Sequence, residues 1–289
     1  MKFTYLSLFP QLIENYLQDA LLKKATDKNI LKFSFYNLRD YSDNKYKSID
    51  DKPYGGGDGM IFRADIIDRV FMDLYNSPNY EADSVCRVYL SPQGKTLDQK
   101  VISNLLTKKQ IVFLCGRYGG VDQRVINKHI DREISIGDFV LSGGELAALT
   151  ITEAISRFIP GVVGDMDSVA QDSFSLKQNI FTDLLETPQY TKPSVWQDQI
   201  VPEVLSSGHH EKIKNWKSHM SLVVTGCKRL DIMRNNLQSV EVQDLDFLQE
   251  HFKFISRLDE SDLLVSGLKR NDFLTYLDML KNYLQTQKG

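Results

Sequence analysis

The sequence predicts an α/β chain with a mostly parallel sheet, followed by a smaller α-helical domain. Three observations carry this. Between Cys86 and Phe158 strand-like runs alternate with helical spacing, and each strand ends in a glycine-bearing turn. Of the 17 glycines, 13 fall between Gly55 and Gly164. From His209 onward the chain reads as helical with few breakers.

The elements follow in order. Cys86-Arg-Val-Tyr-Leu90 reads as a strand and Ser91-Pro-Gln-Gly94 as its turn, and Leu97, Val101 and Leu105 give one apolar face to a helix over 97–106. Ile111 to Cys115 is a continuous apolar run of buried-strand type. The loop from Gly116 to Asp122 and a helix through about Ile130 follow it. A third strand is expected from Glu133 to Leu141, then Ser142-Gly-Gly144, then a helix with Ala147, Ile151, Ile155 and Phe158 on one side. In such sheets ligands collect beyond the C-terminal strand ends, where these glycine loops fall. The polar stretch 164–178 reads as a linker, Asn179 to Glu186 as a short helix and Thr187 to Pro193 as turns. The expected domains are therefore 1–163, the linker 164–178, and 179–289 including a helical tail after about Leu237.

At 289 residues the chain has length for one large or two medium domains, and 42% hydrophobic with 25% charged residues is globular composition. Collagen-like, disordered and disulfide-scaffold classes are excluded. A net charge of −3 argues against a uniformly basic coat. Cys86, Cys115 and Cys227 show no C-x-x-C spacing, which favours a reduced, cytoplasmic setting. Pro10 and Glu14 cut the N-terminal apolar run short of a signal peptide, and no stretch approaches the roughly 20 apolar residues of a membrane span.

Tyr54-Gly-Gly-Gly-Asp-Gly-Met60 permits close backbone approach to a ligand, and a surface hairpin would use it equally well. It fits neither the dinucleotide fingerprint nor the P-loop. There is no H-E-x-x-H zinc motif and no G-x-S-x-G nucleophile elbow. What remains is three glycine loops after three successive strands, at Leu90–Gly94, Cys115–Gly120 and Ser135–Glu145. Together they could wrap a small ligand through backbone groups, as suits a neutral purine edge and ribose.

Five runs, Asp51-Lys-Pro-Tyr-Gly-Gly-Gly-Asp-Gly-Met60, Tyr89-Leu-Ser-Pro-Gln-Gly94, Leu114-Cys-Gly-Arg-Tyr118, Ser135-Ile-Gly-Asp-Phe-Val-Leu-Ser-Gly-Gly-Glu-Leu146 and Ser156-Arg-Phe-Ile-Pro-Gly161, occur in this order. Asp172-Ser-Phe174, Tyr190-Thr-Lys-Pro193 and Val204-Leu-Ser-Ser-Gly208 continue them. Over residues 1 to about 235 the chain resembles the bacterial tRNA (guanine-37-N1)-methyltransferases. The resemblance implies a deep trefoil knot of the SPOUT class, a homodimer with shared sites, and S-adenosylmethionine as methyl donor.

Carried over position by position, the resemblance implies a donor pocket with three walls. Tyr89, Leu90, Ser91, Pro92 and Gln93 make the first, and Gly116 and Tyr118 the second. Ser135, Ile136, Gly137, Asp138, Phe139, Val140 and Leu141 make the third, with Gly143 and Gly144. Apolar side chains such as Ile136 and Leu141 would cover the adenine faces. It further implies Asp172 as the base that takes the guanine N1 proton and Arg157 as the cation that stabilises O6. In the family the aspartate belongs to the partner subunit's linker. On the residues alone, Asp172 reads equally as a helix N-cap and Arg157 as a solvated residue on a last helical turn.

Between Gly208 and Arg234 six cationic residues face two acids, with three histidines besides. Lys192, His209, Lys212, Lys214 and Trp216 are the expected tRNA contacts, Trp216 as a stacking surface or, on spacing alone, a core residue. Where the family usually has an acid after Gly-Arg-Tyr, tied to its magnesium dependence, this chain has Gly119, so a magnesium requirement stays open. The alternatives are a methyltransferase of the same class acting at another RNA position, and a non-catalytic RNA-binding module.

Overall fold

The computed structural model describes residues 1–287 except 19, 79, 166–168, 170, 179 and 180. The chain divides into two compact units, Met1–Met166 and Asp167–Gly289. Within the expected linker, residues 166–168 and 170 lie outside the described residues.

The strands of the first unit are β1 (Lys2–Ser7), β2 (Lys32–Asn37), β3 (Asp50–Asp51), β4 (Ile61–Phe62), β5 (Val85–Thr96), β6 (Gln110–Leu114) and β7 (Arg132–Ser135). Five of them form one all-parallel sheet in the order β2-β1-β6-β5-β7, and β3 and β4 pair as a separate hairpin. Parallel sheets are covered on both faces, and strand alternation here sorts the core into two layers. Phe3, Tyr5, Val88, Ile111 and Phe113 point to one side. They pack with residues of α1 (Pro10–Leu17), α2 (Ala20–Asp27), α4 (Gln99–Leu106) and α6 (Glu145–Ser156). Leu6, Tyr89, Val112 and Leu114 point to the other, against α3 (Ala64–Tyr75) and α5 (Gln123–His129). The central strand β6 is buried at every position, as its unbroken apolar run requires.

Two boundaries differ from the sequence reading, both at the pocket. The third strand stops at Ser135 rather than Leu141, because the Ser135 hydroxyl bonds both the amide and the carbonyl of Gly137 and turns the chain out of the sheet. Residues 136–144 are then free to form a loop. The expected turn at Ser91–Gly94 lies inside β5: pairing with β7 steps from Leu90 opposite Ile134 to Lys95 opposite Ile134, so the segment bulges outward. The following helix starts at Gln99, with the Asp98 side chain accepting from the Val101 amide as N-cap.

Gly94 is required by that bulge. A Cβ there would stand 2.4 Å from the Glu133 carbonyl carbon and the Ile134 nitrogen, both backbone atoms of β7 that cannot rotate away. Gly94→Ala is expected to cost about 1–3 kcal/mol as strain between the two strands. Urea denaturation against wild type checks this, and an unchanged midpoint would show slack between β5 and β7.

In the second unit, Asn179–Glu186 is not the short helix the spacing suggests. Its described residues include β9 (Phe181–Leu184), antiparallel to β8 (Leu176–Gln178), while 179 and 180 lie outside the described residues. Phe181 and Leu184, three apart, are both fully buried, which mimics a helical face. Asp183, at a φ of 59°, breaks the strand alternation and brings both inward. A short pair, β10 (Val195–Trp196) and β11 (Gln199–Ile200), precedes the helices α7 (Glu203–Ser206), α8 (His210–Lys228), α9 (Leu230–Leu237), α10 (Leu245–Ile255), α11 (Glu260–Val265) and α12 (Arg270–Thr286).

One core joins α8 to the tail, including Met220, Val223, Leu248, Ile255, Phe273, Tyr276 and Leu280. Through it runs a buried polar chain. The Tyr276 hydroxyl lies 2.8 Å from Nε2 of His251, whose Nδ1 lies 3.3 Å from Nδ1 of His219. A neutral imidazole supplies one donor and one acceptor, so both His251 nitrogens are used without a charge. Burial pushes the His251 imidazole from its ordinary 6.5 down to about 3. The folded state then binds fewer protons than the unfolded one between those values, so stability is lost as pH falls from about 6.5 toward 3. His251 ring resonances are expected to stay unprotonated from pH 8 to 5 in an NMR titration; a midpoint above 5 would refute this.

Candidate functional site

The pocket at the C-terminal ends of β5, β6 and β7 encloses about 430 Å³ and is lined by all three glycine loops. Its size suits a small-molecule site. Fifteen of the sixteen residues expected in the three walls line it, and Asp138 alone does not. The bulge 91–94 forms one side because β5 steps past β7 there. The second side is the turn after β6, where Tyr118 holds a φ of 57°, a conformation a bulky side chain adopts only under constraint. The third is the loop released when β7 ends at Ser135.

The polar and apolar surfaces are unevenly distributed. Tyr118, Phe139 and Val140 are 61%, 53% and 83% exposed, whereas Ser135, Gly116 and Gly144 are buried at the floor. The expected apolar covers differ: Ile136 is half-buried, and Leu141 is exposed at the rim. Tyr89 lies beneath, its ring 3.0 Å from where a Cβ on Gly116 would be, and burial raises its phenol above the usual range.

The glycine run 55–59 belongs to the hairpin between β3 and β4, with Gly55, Gly56, Gly57 and Gly59 all at positive φ and Tyr54 98% exposed. The hairpin braces the second wall. The Phe62 amide donates to the Gly120 carbonyl, the Gly119 amide to the Met60 carbonyl, and the Asp122 amide to the Phe62 carbonyl.

Sequence reasoning missed the ionic groups of the site. Arg117 lines the pocket, with its Nε 3.2 Å from Oε1 and its Nη2 3.1 Å from Oε2 of Glu145. Glu145 is 2% exposed, and its Oε1 also accepts from the Ser7 hydroxyl at 2.7 Å. The Arg117 guanidinium sits over the Phe9 ring at 4.4 Å. In the sequence Glu145 looks like an ordinary acid in a first helical turn; only the parallel packing of β1 beside β6 reveals its burial.

The proposed catalytic pair falls in different units. Arg157 closes the end of α6, exposed, its amide bonded to the Glu153 carbonyl. Asp172 in the second unit is half-buried; its amide donates to the Val169 carbonyl and its carbonyl accepts from the Ser175 amide. The residues after it turn into β8, so Asp172 caps no following helix. Lys192 is exposed beside the cis bond to Pro193, His209 precedes α8, and Lys212 and Lys214 point to solvent. Trp216 is half-buried against the core of its unit. His219, counted among the histidines of the basic segment, is buried and belongs to the polar chain with His251. Arg229 is neutralised by Asp231 at 2.7 Å and lies over Phe174.

A magnesium site would need oxygen ligands around position 119, and glycine offers no side chain there. Among the described residues no group of three or more His, Cys, Asp or Glu side chains could hold a metal ion. No helix among the described residues is long and apolar enough to cross a membrane.

A family model described as tRNA (Guanine-1)-methyltransferase TrmD matches residues 1–235. A tRNA (guanine-N(1)-)-methyltransferase of Buchnera aphidicola subsp. Schizaphis graminum is 44% identical over 83% of this chain and 87% of its own. One of Clostridioides difficile is 40% identical over 82% of this chain and 99% of its own, and one of Staphylococcus carnosus 43% identical over 81% and 91%. The chain belongs to the tRNA (guanine-1)-methyltransferase family.

Proposed function

We propose that the protein transfers a methyl group from S-adenosylmethionine to N1 of guanine 37 in tRNA, beside the anticodon. The observation that carries this reading is the single pocket built by three glycine loops at the ends of β5, β6 and β7, in a chain of this family. Its floor of backbone groups suits an adenine edge and ribose, and its exposed rim leaves an opening for a nucleotide. When bound, the sulfonium supplies the methyl group. The methyl–sulfur bond breaks as the N1–carbon bond forms, and the N1 proton passes to the Asp172 carboxylate. Arg157 stabilises the negative charge that builds on O6. A base attacked at its Watson–Crick edge must be unpaired, which suits an anticodon loop. Lys192, His209, Lys212, Lys214 and Trp216 of the second unit hold the RNA in this reading.

The reading includes a cytoplasmic homodimer with the knotted threading of the SPOUT class, in which Asp172 serves the donor bound by the opposite protomer. Exposed Leu12 and Tyr16 on α1 and Leu146 on α6 support a second copy as neighbour. Tyr16 bonds Glu153 through its hydroxyl, which sets these two helices side by side.

The test is transfer of labelled methyl from S-adenosylmethionine to a tRNA transcript whose guanine 37 follows another guanine, with the modified nucleotide mapped. Label at N1 of guanine 37 supports the proposal. Label elsewhere reassigns the enzyme to another RNA position, and S-adenosylmethionine binding without transfer to any RNA points to a non-catalytic module.

A further inference from the structure

We infer that Arg117 and Glu145 form a clasp that holds the second and third walls of the pocket at methyl-donor spacing, making Arg117 a positioning residue for the donor. This rests on the methyl-donor reading of the pocket. Three separate segments meet at the Glu145 carboxylate: the end of β1 through Ser7, the turn after β6 through Arg117, and the start of α6 through Glu145 itself. Two backbone links run alongside, the Gly144 amide to the Gly116 carbonyl at 2.9 Å and a bridge between Arg117 and Gly143.

The geometry is more specific than a surface ion pair. Glu145 is almost wholly buried, and a buried carboxylate persists only when its partners are fixed. Arg117 donates from Nε to Oε1, holds Nη2 at ion-pair distance from Oε2, which accepts no hydrogen bond, and stacks on Phe9, so its orientation is set from both sides. A Cβ on Gly143 would overlap both Glu145 Oε2 and Arg117 Nε, so the third wall lies directly on the clasp. Sixteen of the lining residues, from Gly116 to Val121 and from Ser135 onward, belong to the segments it joins or to their flanks. A ligand spanning these two walls binds only while their spacing holds.

The test compares wild type, Glu145→Gln and Arg117→Lys in the full-length chain by calorimetric titration with S-adenosylmethionine and by amide exchange of Gly144 without ligand. Glu145→Gln is expected to weaken binding at least tenfold and to speed Gly144 exchange by a similar factor. Arg117→Lys, which keeps the charge but loses the Nε hydrogen bond and the planar stack on Phe9, is expected to weaken binding about threefold. Circular dichroism establishes that each variant is folded, and Arg117→Lys carries the test if Glu145→Gln is not. Donor affinity within twofold of wild type in a folded variant overturns the clasp. If wild type binds no donor, the methyl-donor reading fails, and exchange at Gly144 alone still decides whether the clasp exists.

Discussion

Asp172→Ala is expected to lower kcat for methyl transfer by about 10²- to 10⁴-fold, the range a positioned general base contributes, equivalent to roughly 3–5 kcal/mol of barrier. The proton on guanine N1 must leave as the methyl arrives, and without an acceptor the positive charge stays on the base. The backbone turn here, with the Asp172 amide donating to the Val169 carbonyl and its carbonyl accepting from the Ser175 amide, does not use the carboxylate, and circular dichroism of the variant checks that the fold is kept. The loss should therefore fall on kcat with KM for tRNA within a few-fold of wild type, the signature of an interaction made in the transition state. Asp172→Asn separates charge from shape and should be nearly as slow. Single-turnover transfer assays measure both. An alanine variant within threefold of wild type would remove Asp172 from the chemistry while leaving the pocket assignment standing.

Tyr276→Ala is expected to destabilise the second unit by about 3–5 kcal/mol, the cost of deleting a large buried aromatic. Tyr276 is fully buried, and its ring lies so close to α8 that a Cβ on Gly226 would sit 2.4 Å from it. Its hydroxyl also satisfies His251. Losing it leaves one buried imidazole nitrogen without its partner, which adds about 1–3 kcal/mol. Tyr276→Phe removes only the hydroxyl and should show the second part alone. Thermal and urea unfolding of the full chain, followed by tryptophan fluorescence from Trp196 and Trp216, read these losses in the second unit, the unit that holds both tryptophans. Equal midpoints for wild type and the alanine variant would show that the tail is not part of that core.

The parallel sheet was legible because its signal is local: the apolar run Ile111–Leu114 and the glycines after each strand are adjacent in sequence. The three glycine loops were legible for the same reason, while the individual wall residues came from the family resemblance. What escaped was set by partners far along the chain. Ser135 ends its strand through a hydroxyl bond that no periodicity displays. Phe181 and Leu184 have helical spacing, and only the left-handed Asp183 makes them neighbours in a strand. The Arg117–Glu145 pair joins residues 28 apart and draws in Ser7, 138 residues from Glu145, so no window of sequence contains it. His219 sat in a basic stretch and was read with its charged neighbours, although its ring packs against Phe247 and Phe254 from the tail.

The core that α8 shares with α10 and α12 also sets an order of events during synthesis. The family match ends at residue 235, yet Leu248, His251, Phe273, Tyr276 and Leu280 close the inner side of the helix that carries Lys212 and Lys214. At ribosomal rates of about 5–20 residues per second, the 45 residues from 236 to Leu280 take roughly two to nine seconds to be added. Throughout that interval the basic helix has its apolar side open to solvent, while the parallel sheet already has all its strands. The second unit thus closes only after the sheet has all its strands, and a nascent chain halted before Phe273 carries a complete sheet and a basic helix whose core is still open.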